Sequence, residues 1–378
     1  MKILFVTNLY SPILRGGAER LAQKIAEGYV VRGHEVSVLT TRNEKLDDIV
    51  SELQNGARVY RFSPKLPYHI LEDATQPFWK RLLWHAKDLC PKTSFDVAKK
   101  IIGDIAPDII FSHNLRGMGM GVARAIRRSN VKWIHTLHDV QLIVPSGQWW
   151  TDRWSLWQSC LIRFPYSMYM KRLMGSPNIV VSPSRFLLDL HNRAGLFSRS
   201  KKTRIVNPAP AHLSYLSDRP HGSALFVGQL TDGKGLKTLF SALNNVSRPL
   251  RLRVIGDGPM RSKLSSEEAQ KLPPSIKVEF LGNASQKDTV AEMEKASVLV
   301  VPSVITENCP GVILEAASVG LPVIATKQGG IPELVSDENL FAPNDADALA
   351  KLLSAESWPN VKALSSTIDD YLDNLLAL

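Results

Sequence analysis

The chain has 378 residues, 44% hydrophobic and 22% charged, with a formal net charge of +10. That length holds two ordinary domains, and that balance packs a core, which excludes a disordered chain. The positive excess favours acidic partners, whether nucleotides, phosphates, nucleic acid or anionic lipid, without choosing among them.

Lys2–Thr7 reads as a buried strand. Its one lysine and short apolar run, broken at Thr7-Asn8, do not make a signal peptide. Ala18–Arg32 reads as a helix, with Leu21, Ile25 and Tyr29 at i,i+4 spacing and Gly33 as its stop. Strands follow at Glu35–Thr40, Asp108–Ser112, Val131–Thr136 and Asn178–Ser182. Near-continuous apolar strands with helical crossovers predict a parallel sheet covered on both faces. Asn207–Pro210 and Ser214–His221 are polar and Pro-containing, and read as a linker. The alternation then restarts, with strands at Ala224–Val227, Leu252–Ile255, Lys277–Leu281, Val298–Val301 and Pro322–Ala325. Helices are expected near 235–246, 259–271, 286–296 and 311–319. The expected organisation is α/β, with two doubly wound domains at 1–207 and 220–360, a linker at 208–219 and a C-terminal segment at 361–378.

Two stretches depart from this alternation. Gln148–Met174 sets Trp149, Trp150, Trp154, Trp157, Phe164, Tyr166 and Tyr169 among Arg153, Arg163, Lys171 and Arg172. Phe78–Leu89 sets Trp79 and Trp84 beside Lys80 and Arg81. Both are candidates for amphipathic surface helices. The Gln148–Met174 stretch reads as a core helix with snorkelling cations, as a protein interface, or as a surface that meets anionic lipid or a lipid-linked acceptor.

Three dispersed cysteines, Cys90, Cys160 and Cys309, offer neither a disulfide framework nor zinc spacing. A reducing compartment is therefore expected. No run of about 18 apolar residues can span a bilayer. The expected location is cytoplasmic, with a peripheral place on the inner face of the cell membrane left open.

The chemistry centres on Pro302–Ala316. A strand ends at Val301, a loop follows, and a helix begins near Pro310, a residue suited to the first helical turn. The N–H groups of Gly311, Val312 and Ile313 would leave that helix start and, with its dipole, form an anion site. Glu307 precedes this cradle and Glu315 lies inside the helix. Two carboxylates would thus flank bound phosphates, and ionised carboxylates accept hydrogen bonds from sugar and ribose hydroxyls.

This string resembles the signature of glycosyltransferase family 4, in which two glutamates separated by seven residues mark the donor site. Gly320–Thr326 and Gly329–Glu333 continue that pattern. Gly228–Gly235, Ile255–Pro259 and Phe280–Gly282 are similar to further strand-end motifs of the family, and Gly16–Arg20 to its first glycine-rich turn. Asn207-Pro208 sits where the family commonly has Asn-Gly.

The resemblance implies a GT-B fold: two Rossmann-like domains facing across a cleft, the first for the acceptor and the second for the nucleotide-sugar donor. It also implies that the last helix, about Ser365–Leu376, crosses back onto the first domain. Lys234 would contact the donor diphosphate, Glu307 the sugar hydroxyls and Glu315 the ribose. Gly16 and Gly17 would let backbone approach the diphosphate, and His138 would face the transferred sugar. The family usually carries Arg where this chain has Gln229; Arg15 and Arg20 are candidate substitutes. The implied activity is retaining transfer of a hexosyl group from a UDP- or GDP-sugar, with neither metal nor other cofactor. The implied acceptor is a glycan or lipid-linked glycan of a bacterial surface polysaccharide. A catalytically impaired GT-B scaffold is the alternative that Gln229 raises. A dinucleotide-dependent oxidoreductase lacks its Gly-x-Gly-x-x-Gly turn after the first strand. No nucleic-acid-binding motif accompanies the positive charge.

Overall fold

The computed structural model describes residues 1–14, 16–44, 48–90, 92–150, 159–209, 221–362 and 367–378. The chain divides into two compact units. The first holds Met1–Gly147, Leu156–Ile205 and Ile368–Leu378; the second holds Gln148–Ser155 and Val206–Thr367.

The first unit contains β1 (Lys2–Val6), β2 (Glu35–Thr41), β3 (Val50–Gln54), β4 (Ala57–Phe62), β5 (Ile109–Ser112), β6 (Lys132–Thr136), β7 (Ile179–Ser182) and β8 (Lys201–Arg204). They form one sheet in the order β3-β4-β2-β1-β5-β6-β7-β8, parallel except for the antiparallel edge pair of β3 with β4. The second unit contains β9 (Ser223–Val227), β10 (Leu250–Ile255), β11 (Ile276–Gly282), β12 (Val298–Val301), β13 (Val323–Thr326) and β14 (Leu340–Phe341). Their order is β11-β10-β9-β12-β13-β14, all parallel. Renumbered within the unit this is 3-2-1-4-5-6, the doubly wound Rossmann order.

Helices cover both sheets. The first unit has α1 (Gly17–Val31), α2 (Phe78–Asp88), α3 (Lys92–Ile105), α4 (Gly121–Ser129), α5 (Cys160–Met174) and α6 (Arg185–Arg193). The second has α7 (Leu236–Leu243), α8 (Arg261–Lys263), α9 (Gln286–Glu294), α10 (Gly311–Ser318) and α11 (Ala346–Ser354). Alternation along β9 shows why both sheet faces are apolar. Ala224 and Phe226 pack into the core with α7 and α11, while Leu225 packs into the opposite core with α9 and α10.

The last helix, α12 (Ile368–Leu376), belongs to the first unit. Its Tyr371, Leu372 and Leu375 are buried in the core with Ile25 and Tyr29 of α1. The Tyr29 hydroxyl donates to the Leu372 carbonyl at 3.1 Å, and Arg32 pairs with Asp369 and Asp373. The first residues expected in this helix, Ser365 and Ser366, lie outside the described residues, as does most of the expected linker.

Two expectations change. The helix foreseen across 259–271 breaks into α8, a π turn at Leu264–Glu268 and a 3-10 turn at Ala269–Lys271. The stretch 148–174 is not one helix. Trp149 and Trp150 lie in the second unit, where Trp150 bridges to Ile305 and the Trp149 carbonyl accepts from the Thr306 N–H at 2.8 Å. Backbone pairing has therefore taken these residues out of helical geometry. α5 begins only at Cys160, and Arg153, Trp154 and Trp157 lie outside the described residues.

Candidate active site

Open α/β sheets bind ligands beyond the carboxyl ends of their strands, where the strand order reverses. In the second unit that point lies between β9 and β12. The loop after β9 runs from Gly228 to Gly235, and the loop after β12 from Pro302 to Pro310. Backbone joins them: the N–H groups of Val304 and Ile305 donate to the Gly233 carbonyl at 3.0 and 3.3 Å. Gly235 has φ +72°, and a Cβ there would sit 1.7 Å from the Pro302 carbonyl oxygen. Only glycine lets the loops approach this closely. From the other side, the Gly330 N–H donates to the Glu307 carbonyl at 2.8 Å. A Cβ on Gly329, φ +62°, would lie 2.1 Å from that same oxygen. The backbone of Glu307 is thus clamped between two glycine turns.

Its side chain meets Lys234. That lysine ends a 3-10 turn, Asp232–Lys234, and its Nζ donates to Oε1 of Glu307 at 2.6 Å. Ser303 Oγ donates to the same oxygen at 2.9 Å. Thr326 at the end of β13 holds Ser303 in turn, donating to its carbonyl at 2.8 Å. The ion pair is partly exposed, so water screens it and it adds little to stability. What it does is hold one cation and one carboxylate at a fixed point.

Beside them α10 begins. No side chain caps its start. The helix has no partner for the N–H groups of its first residues, Gly311 and Val312. The Ile313 N–H, expected as a third anion donor, instead donates to the Pro310 carbonyl at 3.0 Å. The turn tightens enough to use it. A Cβ at Gly311 would meet nothing within 4 Å, so there is open space beside the first residue of the helix. Glu315 is half-buried further along the helix.

Gln229 is exposed on the β9 loop. That loop interlocks with the one after β10: the Leu230 N–H donates to the Asp257 carbonyl at 2.9 Å, and the Met260 N–H to the Leu230 carbonyl at 3.0 Å. Arg261 follows on, 3.6 Å from the Asp257 carboxylate. Neither Arg261 nor Ser303 stands out in the sequence; their signals are a cation just after a Gly-Pro turn and a hydroxyl at a strand end. Of the two arginines expected to substitute at Gln229, Arg15 lies outside the described residues and Arg20 belongs to the first unit.

In the first unit the order reverses between β1 and β5. α1 starts after Gly16, which has no side chain to cap the helix. Glu19 compensates, accepting from the Gly16 N–H at 2.9 Å. Gly16 and Gly17 are exposed, and a Cβ on Gly17 would meet nothing within 4 Å.

His138 follows β6, and its Nε2 lies 2.9 Å from Nδ1 of His113, which follows β5. The rings stack at 5.2 Å. Burial pushes His138 down to about 4. Burial, with His138 and His135 close by, holds His113 well below its ordinary value. Both rings are neutral at pH 7. Burial raises Asp139 to about 6, opposed by the Gln141 N–H and Arg116, and the charge of Glu19 adds to the rise. The start of α1 is thus electrically coupled to the loop that carries His138. His113 was not evident in the sequence, since a histidine ending a strand is ordinary until its neighbour is known.

Comparison with known proteins agrees with this architecture. Residues 16–208 match the family model described as a glycosyl transferase 4-like domain, and residues 222–355 the one described as glycosyl transferases group 1. Over 343 residues the chain is 28% identical to an "uncharacterized 42.6 kDa protein in cps region" of Klebsiella pneumoniae, covering 88% of this chain and 87% of that one. It is 32% identical over 153 residues to WcaL, a glycosyltransferase assigned to colanic acid biosynthesis in Escherichia coli (strain K12), covering 38% and 37%. Sucrose-phosphate synthase from Thermosynechococcus elongatus shares the fold with a TM-score of 0.71 at 20% identity, covering 93% and 88%. Anabaena HepE in complex with UDP does so with a TM-score of 0.64 at 19% identity, covering 100% and 95%. The chain belongs to the group 1 glycosyltransferases, with a 4-like first domain, and its relatives include proteins of bacterial polysaccharide synthesis.

Proposed function

We propose that this glycosyltransferase moves a hexosyl group from a UDP- or GDP-sugar to an acceptor hydroxyl, with retention of anomeric configuration. The observation that carries the reading is the junction of Lys234 and Glu307 beside the open start of α10. A cation, helix N–H groups and a carboxylate acceptor are the chemistry that a sugar diphosphate needs. HepE, similar in fold, is described with UDP and with UDP-glucose.

In this proposal Lys234, Gly311 and Val312 bind the diphosphate, with Ile313 shaping the turn. Glu307 accepts from sugar hydroxyls and Glu315 from the ribose. Gly16 and Gly17 admit the diphosphate to the first domain, and neutral His138 hydrogen-bonds the transferred sugar. The bond from the anomeric carbon to the diphosphate oxygen breaks, and the acceptor oxygen bonds that carbon from the same face. The acceptor proton passes to the departing phosphate oxygen. Charge collects on the diphosphate, where the preorganised donors stabilise it. Gln229 offers no fixed charge, so Lys234 carries more of the clamp; a catalytically impaired scaffold is the second reading that this residue favours.

The acceptor is a glycan or lipid-linked glycan of a bacterial surface polysaccharide, presented in the cytoplasm at the inner face of an anionic membrane. No cofactor or nucleic acid takes part. The test is incubation with UDP- and GDP-hexoses and lipid-linked glycan, with the new linkage read by NMR. A glycoside that keeps the donor's anomeric configuration supports the proposal. An inverted product overturns retention. Donor binding without turnover supports the scaffold reading.

A further inference from the structure

α2 and α5 lie on the first unit with a row of large apolar side chains turned outward from each. On α2 the buried side chains are Trp84, His85 and Asp88. Asp88 accepts from the N–H groups of Gly117 and Gly119, so the inner face is held by hydrogen bonds. The outer face carries Phe78, Trp79, Leu82 and Leu83, each between 43% and 62% exposed. On α5 the buried residues are Ser167, Met170, Leu173 and Met174. Its outer face carries Leu161, Phe164, Met168 and Tyr169, with Leu161 89% and Phe164 66% exposed. Spacings of three and four residues put these on one stripe. The Tyr169 hydroxyl donates to the carbonyl of Leu89, just past α2, at 3.3 Å, so the two helices are neighbours.

The concentration is specific. Among the described residues, eight of the fourteen exposed large apolar side chains lie on these two helices, as do all four exposed Phe, Tyr and Trp. The exposed charge that the two helices themselves carry has one sign. α2 exposes Lys80 and Lys87 while its one acid, Asp88, is buried; α5 contains no acid and exposes Lys171 and Arg172. Exposed aromatic and aliphatic groups rimmed by lysine and arginine are what an interfacial helix presents to anionic lipid. A protein partner needs no such single-sign rim. None of the described helices is long and apolar enough to cross a membrane.

We propose that the α2–α5 face seats the protein on an anionic bilayer, with Phe78, Trp79, Leu161, Phe164 and Met168 entering the headgroup boundary and Lys80, Lys87, Lys171 and Arg172 meeting lipid phosphate. Trp149 and Trp150, whose backbones pair with the loop of Glu307, take no part. This deepens and rests on the membrane reading above.

The test is flotation of the full chain with vesicles of phosphatidylcholine containing about one third phosphatidylglycerol, beside vesicles of phosphatidylcholine alone. The wild type is expected to float with the anionic vesicles, and high salt to weaken binding at least about tenfold. Trp79→Ser with Phe164→Ser, and Lys171→Glu with Arg172→Glu, should each weaken it at least about tenfold, while Leu53→Ser on exposed β3 leaves it unchanged. Melting curves without nucleotide and with UDP or GDP confirm that each variant is folded and show independently whether the donor reading stands. Wild type that ignores anionic vesicles overturns both this proposal and the membrane reading. Wild type that floats while the α2 and α5 variants float equally overturns this face alone. Self-association through these residues without vesicle binding would make the face a protein interface and also overturn the proposal.

Discussion

Nζ of Lys234 lies 2.6 Å from Oε1 of Glu307, although 73 residues separate them. They stand on loops leaving adjacent parallel strands, β9 and β12, at the point where the strand order reverses. Under the proposed function a donor would meet a cation already paired with a carboxylate, so the two residues should act as one unit.

Lys234→Ala and Glu307→Ala should each lower kcat/KM at least about a hundredfold, the scale of losing one preorganised electrostatic contact. Because they touch, the double variant should lose much less than the product of the single losses. Steady-state kinetics on the four proteins checks this. Near-normal turnover in either single variant rejects that residue's role.

Two glycines separate a folding requirement from a functional one. Gly329→Ala places a Cβ against the Glu307 carbonyl at positive φ, and should cost about 1–3 kcal/mol of stability along with donor affinity. Gly17→Ala meets nothing within 4 Å, so its melting temperature should stay within about 1 °C of wild type. If backbone at Gly17 must approach the diphosphate, transfer falls all the same. Unchanged transfer in Gly17→Ala removes that glycine from the site.

The first unit should lose stability in mild acid. Burial lowers His138 and His191 to about 4, and His85 and His135 to about 3, and it lowers His69 and His113 as well. Unfolded histidine takes up a proton near pH 6.5, so below that pH the unfolded chain binds more protons and stability falls toward pH 4. Asp88 and Asp139, raised by burial to about 6, act oppositely between about 6 and 3.8, but they are fewer. The melting temperature should drop by roughly 5 °C or more from pH 7 to pH 5. A flat profile would contradict neutral buried histidines.

α12 closes the first unit. Leu372 is buried, and its side chain fills the space beside Gly28. Leu372→Ala should destabilise by about 2–5 kcal/mol, read from denaturant unfolding. A loss below about 1 kcal/mol would mean that α12 is not part of that core.

Much of this was legible in the sequence because strand periodicity and strand-end glycines are local signals. The apolar runs 3–6, 109–111 and 298–301 are strands, and the Glu307 loop stands where the strand order reverses. What was not legible depends on partners distant in sequence. His113 acquires a role only beside His138, and Ser303 only beside Glu307. Trp149 and Trp150 look like the start of an amphipathic helix until backbone pairing with Ile305 and Thr306 claims them. Phe78–Leu89 is legible as an amphipathic surface helix, but not which of its tryptophans faces inward: Trp84 is buried with His85 and Asp88, while Trp79 is exposed.

The central claim is that the Lys234–Glu307 junction receives a nucleoside diphosphate, and thermal shift tests it most directly. A ligand at a hundred times its Kd stabilises the folded state by about 2.7 kcal/mol. UDP or GDP should raise the melting temperature of the wild type by about 5 °C and that of Lys234→Ala by less than half as much. No shift with either nucleotide, or an equal shift in Lys234→Ala, would contradict the account.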